Sequence, residues 1–283
     1  MTSALPAPVV ELFQHRLRAG DIELPLLDTT TTRIIELASN PDADVDEVAQ
    51  AIGTDQAMVA HLLRVTNSSL YSPVSPIVSI QQAIIRLGLK KIQEIALVIS
   101  CQNAIFDAPG FEQILKDEFH SALITALVAQ QINKTRRHSA EEGFLCGLLR
   151  GVGFPVLIQI MVHCHRDTDT EVDVDDVMTF AERVHPVVGG DLITNWGLPS
   201  RIASAVRHQR SPDEAGAENR LAWLCQLSGA CCELMEQDET KPEALDDLLE
   251  HPALSELDLF DDELSDTVLD RSEEIIAQAG AIL

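Results

Sequence analysis

Residues 44–67 read DVDEVAQAIGTDQAMVAHLLRVTN, and the way this stretch divides decides the fold. Asp44 followed by Glu47 matches a capping box, so DVDEVAQAI opens as a helix, and Gly53 stops it. The next segment, from Asp55, sets Met58, Leu62, Leu63 and Val65 on one face suited to burial. The polar run from Asn67 to Ser69, followed by Pro73 and Pro76, ends it. Two short helices back to back, with no alternation of apolar and polar residues, point to a helical bundle rather than a sheet.

The same reading extends in both directions. Upstream, a short helix is expected over Val9 to Arg18, ending at Gly20. The linker DIELPLLDTT then leads into TTRIIELASN, which turns at Asn40-Pro41. Downstream, Ser79 is a good N-cap for SIQQAIIRLG, with Gln82 three residues on. Gly88 breaks that helix, and Leu89 to Ile105 reads as one long apolar helix. The first hundred residues thus predict a compact bundle.

Beyond Pro109-Gly110 the pattern changes. FEQILKDEFHSALITALVAQQI is a long amphipathic helix carrying His120. Residues 144–153, FLCGLLRGVG, read as a buried helix running into a tight, glycine-rich turn, with Arg150 at its end. DVDDVMTFAERVHPVVGGDLITNWGLP follows, Pro199 opens SRIASAVRHQ, and ENRLAWLCQLSGACCELM supplies another helix. The expected class is all-α, in two packed helical subdomains. Residues 1–20 form an N-terminal extension, 21–108 the first subdomain, 109–235 the second, and 236–283 an acidic, partly helical extension.

Composition narrows the function. The 45 acidic residues against 20 basic ones give a net charge of -25, a field that repels phosphate and disfavours nucleic acid or an anionic membrane as partner. The charge is uneven: 17 acids and two bases, Lys241 and Arg271, lie from Glu233 onward, and six more acids lie between Asp167 and Asp176. The N-terminus lacks the apolar segment of a signal peptide, and no run is expected to span a bilayer. Six cysteines without framework spacing suit a reducing cytoplasm, and Cys231-Cys232 reads as packing.

The candidate chemistry is that of a helical metallohydrolase, which needs histidines and aspartates gathered from separate helices. His120, His163, His165, His185 and His208 stand at suggestive places, although a histidine on a helix surface or core edge explains each one alone. The HCH at 163–165 lacks a second ligand pair at zinc spacing. Arg150 argues against a metal, since a guanidinium has no lone pair to give and repels a divalent ion.

The segment from Leu24 to Tyr71, followed by SIQQAIIRLGLKKIQEIAL, resembles the opening of an HDOD domain, an HD-related output domain of bacterial signalling proteins. The resemblance runs from about Leu24 to about Met235. Its sharpest marks are Leu24-Pro25, Asn40-Pro41, Asp55, Leu62 to Asn67, Ser79 to Ile84, Leu87-Gly88 and GDLITNWGLP. HDOD domains are similar to HD metal-dependent phosphohydrolases with an incomplete ligand set. The resemblance puts His120 at the first histidine, and Arg150-Gly151 at the central His-Asp pair. His185 matches a later family histidine. Gln209 and Arg210 replace the usual histidine pair, with His208 at the place of the preceding aromatic. The late aspartate is missing around Ser228-Gly229.

The resemblance implies a degenerate site, with no catalytic residues, metal or other cofactor. The expected function is a non-catalytic signal-transduction or scaffold protein working through a regulatory or signalling protein partner. Arg150 reads either as a salt-bridge former, with Glu118 or Glu142 as partner, or as an anion site holding a phosphate-bearing nucleotide with His120 and His185. A phosphohydrolase with unconventional ligands from His120, His163, His165 and His185 is the third reading. Lys134, Arg136 and Arg137 form a second basic group, equally explained as solvated loop charges. In the tail, DELSDTVLDRSEEIIAQAG offers a face of Leu264, Val268, Leu269, Ile275 and Ile276. That face suits packing on its own domain, docking a basic partner, or a homodimer.

Overall fold

The computed structural model describes residues 6, 9–12, 15, 26–38, 40, 43–68, 71, 75–104, 111–168, 173–237 and 242–282; at 103–104, 163–168 and 242 only the backbone is described. Among these residues there is no strand, and the architecture is all-α. Of the helix expected over 9–18, residues 9–12 and 15 are helical and the others lie outside the described residues, as do Leu24-Pro25 and Pro41.

The first half contains α1 (Thr29–Ala38), α2 (Val45–Gly53), α3 (Gln56–Thr66), α4 (Ile80–Leu87) and α5 (Leu89–Ala104). Local capping sets their starts. Asp55 accepts a hydrogen bond from the Met58 amide at 3.0 Å, and Ser79 one from the Gln82 amide at 3.2 Å. Asp44 caps α2 through the Asp46 amide at 3.2 Å, but the expected box is not completed, because the Glu47 carboxylate pairs instead with Arg33 at 2.8 Å. Asn67 does more than end α3. Its side-chain amide donates to the carbonyls of Leu63 (2.8 Å) and Ile77 (2.9 Å), and its oxygen accepts from the Ile77 amide at 2.8 Å. That three-bond clasp fixes how the chain returns into α4. Gly88 turns the chain between α4 and α5 at φ +82°, where a side chain would be strained. Met58, Leu62 and Val65 are buried as expected, and Leu63 is half-buried.

The second half contains α6 (Glu112–Thr135), α7 (Ala140–Leu149), α8 (Gly153–Thr168), α9 (Val174–Asn195), α10 (Ser200–Arg207) and, after a 3-10 turn at Pro212–Glu218, α11 (Asn219–Met235). α6 packs on α7, α8 on α9, α9 on α10, and α11 lies across α6, α10 and α7. Residues 140–162 do reach the length and apolarity of a membrane span, contrary to the expectation from sequence. The stretch is mostly buried and is broken between α7 and α8, so it is core material of two helices. α5 joins the halves by packing on both α1 and α7, and one continuous apolar core runs through them.

The tail adds α12 (Pro242–Leu249), α13 (Ala253–Glu256), α14 (Asp261–Thr267), a 3-10 turn at Leu269–Arg271 and α15 (Ser272–Ile282). α12 and α13 rest on α11, and α14 and α15 on α6. Leu264 and Val268 are fully buried, Ile275 is buried, and Leu269 and Ile276 pack half-buried against the core. Arg136 closes this contact, with Nη1 3.0 Å from both carboxylate oxygens of Glu263. The face read as an interaction surface is therefore used within the chain.

Candidate functional site

Close contacts between helix backbones position the pocket. A Cβ at Gly147 on α7 would lie 2.5 Å from the Thr125 carbonyl oxygen and the Ala126 Cα of α6, so no larger residue fits there. On α8, a Cβ at Gly153 would run into the His185 carbonyl and lie 2.5 Å from the Gly189 amide of α9. These contacts bring the end of α7, at Arg150-Gly151, against α9 and α11.

The Arg150 guanidinium lies on Gly229 of α11, filling the space that a Cβ at 229 would need. Its Nη2 is 3.5 Å from a carboxylate oxygen of Glu233, and its Nε is buried without a hydrogen-bond partner. The Arg150 carbonyl accepts a bond from the Gln209 side-chain amide at 2.9 Å, and the same amide donates to Val206 at 3.0 Å. Gln209 is thus a buried clamp on the turn after α7. The sequence pointed to Glu118 or Glu142 as the partner of Arg150. The contact comes from Glu233 instead, while Glu142 pairs with Arg201. Glu118 still feels Arg150: burial raises its pKa, Arg150 counteracts this, and Glu236, Glu182 and Asp117 reinforce the rise.

His185 is buried, meets Phe154 edge-on at 6.2 Å between ring centroids, and leaves Nδ1 without a partner. Burial first, then Arg150 and Arg210, push its pKa down to about 3, so the ring is neutral at physiological pH. His120 Nδ1 stands 3.9 Å from Glu236, whose same oxygen accepts the Ser121 hydroxyl at 2.6 Å. His208 is turned onto its own helix, Nδ1 lying 2.9 Å from the Ser204 carbonyl. Gly151 faces open space.

These residues do not fit a divalent metal. Arg150 and Gly151, which the resemblance puts at the central pair, offer a permanent cation and no side chain. Among the described residues, no three His, Cys, Asp or Glu side chains are grouped as metal ligands. His163 and His165 lie on the backbone of α8, with side chains outside the described residues. Of the basic group, Arg136 is taken up by Glu263, and Lys134 lines a separate cleft. What the sequence missed is that Gly229 receives the guanidinium and that Glu233, 83 residues from Arg150, balances it.

An all-helical architecture of two halves sharing one core defines the class, the helical-bundle domains. Within that class, the HDOD domain model matches residues 24–212, and the chain belongs to the HDOD family. The match ends before α11. Solved structures that share the fold include the following three. An HDOD domain protein of unknown function from Geobacter sulfurreducens is 22% identical with a TM-score of 0.73, covering 97% of this chain and 98% of that one. A candidate metal-dependent phosphohydrolase from Shewanella amazonensis is 20% identical with a TM-score of 0.71, over 96% and 97% of the two chains. A candidate signal transduction protein from Marinobacter aquaeolei is 24% identical with a TM-score of 0.67, over 92% of this chain and 60% of that one. An uncharacterized protein of Treponema pallidum is 21% identical over 205 residues, 69% of this chain but only 39% of that longer relative.

Proposed function

We propose that the chain is a non-catalytic, cytoplasmic signal-transduction module that works through contact with a regulatory protein. One observation carries this reading: the Arg150 guanidinium fills the pocket against Gly229, beside Glu233. A fixed cation among carboxylates supplies the positive charge that a metal would otherwise bring, and it can neither bind nor activate a water as a metal does. Family membership supports the signalling role. Among the described residues, five buried free thiols, Cys101, Cys146, Cys225, Cys231 and Cys232, fit a reducing compartment.

A second reading, a phosphate-bearing nucleotide held by Arg150 with His120 and His185, draws on two of the buried atoms that lack partners among the described residues, Arg150 Nε and His185 Nδ1. Two features weigh against it. Glu233 already engages the guanidinium, and neutral His185 adds no positive charge. The deciding experiment is elemental mass spectrometry after incubation with Mn, Fe, Mg and Zn and gel filtration, with phosphodiesterase turnover measured on the same sample. The expected result is a trace of metal and no turnover. A full ion per chain, lost together with turnover in His120→Ala or His185→Ala, overturns the proposal.

A further inference from the structure

Away from the Arg150 pocket, a cleft of about 390 Å³ opens between α5, α6, α7 and the tail helix α15. Lys91 from α5, Lys134 from α6 and Arg271 from the 3-10 turn just before α15 line it, together with the Glu141 carboxylate. In a chain of net charge -25, three cations from three elements gather around one cavity, two of them beside a carboxylate partner, Glu94 or Glu274. Two aromatic rings, Tyr71 and Phe144, share the lining, as do the side-chain amides of Gln131 and Gln278. Burial first, then the Glu94 carboxylate, raise the Tyr71 pKa, so the phenol remains a neutral donor.

The cations differ in how committed they are. Lys91 is engaged by Glu94 and lies over the Phe144 ring at 5.3 Å. Arg271 forms a two-bond fork with Glu274 at 2.9 and 3.0 Å, on side chains 41% and 51% exposed. A pair that exposed is held weakly and exchanges readily for a better anion. Lys134 has no carboxylate partner among the described residues. Free or exchangeable cations supply phosphate contacts, the Tyr71 ring supplies a flat surface, and amides read polar ring edges, while the Phe144 ring is covered by Lys91.

We propose that this cleft binds a phosphate-bearing molecule with a flat ring, a nucleotide in chemical class, and that α15 forms one wall of the site. Because Ile275 and Gln278 belong to that wall and Arg271 immediately precedes it, occupancy and docking of the tail are linked. The inference stands apart from the reading of Arg150, and the test separates the two.

The experiment is calorimetric titration of the full chain with ATP, GTP, adenosine and pyrophosphate, at low and at physiological salt. Saturable binding of ATP or GTP is expected, weakened by salt and reduced about five- to tenfold by Lys134→Ala and by Arg271→Ala. Both are surface changes, and unchanged helicity by circular dichroism verifies the fold. Binding of pyrophosphate as tight as that of either nucleotide removes the ring from the proposal and overturns its ligand class. No saturable binding of any probe overturns the site. Binding abolished by Arg150→Ala but untouched by Lys134→Ala and Arg271→Ala also overturns it, and moves the ligand to the HD-type pocket.

Discussion

At the scale of single residues, Arg150 and Gly229 behave as one unit. Each explains the other: the guanidinium needs a residue without a Cβ beneath it, and Gly229 on a buried helix face would otherwise leave a void. Their coupling is measurable. Gly229→Ala forces the guanidinium aside and is expected to cost about 1–2 kcal/mol in the parent. In an Arg150→Ala background the same change is expected to cost close to nothing, or to stabilise, since alanine is the better helix former. Urea unfolding of the four proteins gives the coupling; additive costs would mean that the contact carries no energy. That Arg150 cannot ligate a metal was legible in the sequence, because it follows from side-chain chemistry alone. Its partner was not, because a contact across 83 residues leaves no local trace.

At the scale of elements, the helix starts were legible wherever capping is local, as at Asp55 and Ser79. The reading failed at Glu47, whose carboxylate answers a tertiary partner, Arg33, instead of its own helix. The glycines after Leu149 were legible as a turn signal, and those inside α7 were not. The use of Gly143 and Gly147, bringing α7 onto α6, depends on a facing helix that the sequence does not place. Gly147→Ala puts a methyl group against backbone atoms that cannot swing away, and is expected to destabilise by about 2–3 kcal/mol despite alanine's higher helix propensity. Thermal unfolding checks it; a neutral or stabilising effect would show that the two helices separate freely. The cis packing of α14 and α15 was one of the alternatives open from sequence, and burial of Leu264, Val268 and Ile275 selects it.

At the scale of the whole molecule, two buried groups set opposing pH dependences. Glu94, on the helix that joins the halves, is 3% exposed, and burial pushes its pKa from 4.5 up to about 7, against the pull of Lys91. Between those values the folded protein holds a proton that the unfolded chain has released. Its contribution therefore falls as pH rises, by about 3 kcal/mol across the whole window. His185 acts in the other direction: with its pKa lowered from 6.5 to about 3, the unfolded chain takes up a proton that the fold refuses, so stability is lost as pH falls below 6.5. The two oppose each other between about pH 4.5 and 6.5, and of the two only Glu94 still titrates from there to slightly above 7, with Glu118, also raised by burial, acting in the same direction. Urea midpoints are expected to fall between pH 6 and 8 in the parent, and to fall much less in Glu94→Gln. An equal decline in both proteins would place the titrating group elsewhere.

The contact between Arg150 and Gly229 also bears on which substitutions the chain can take. A side chain at 229 has to push the guanidinium out of its seat, and a smaller residue at 150 leaves a gap over Gly229. Each position therefore sets what the other tolerates, and a change at one is best accommodated when the other changes with it.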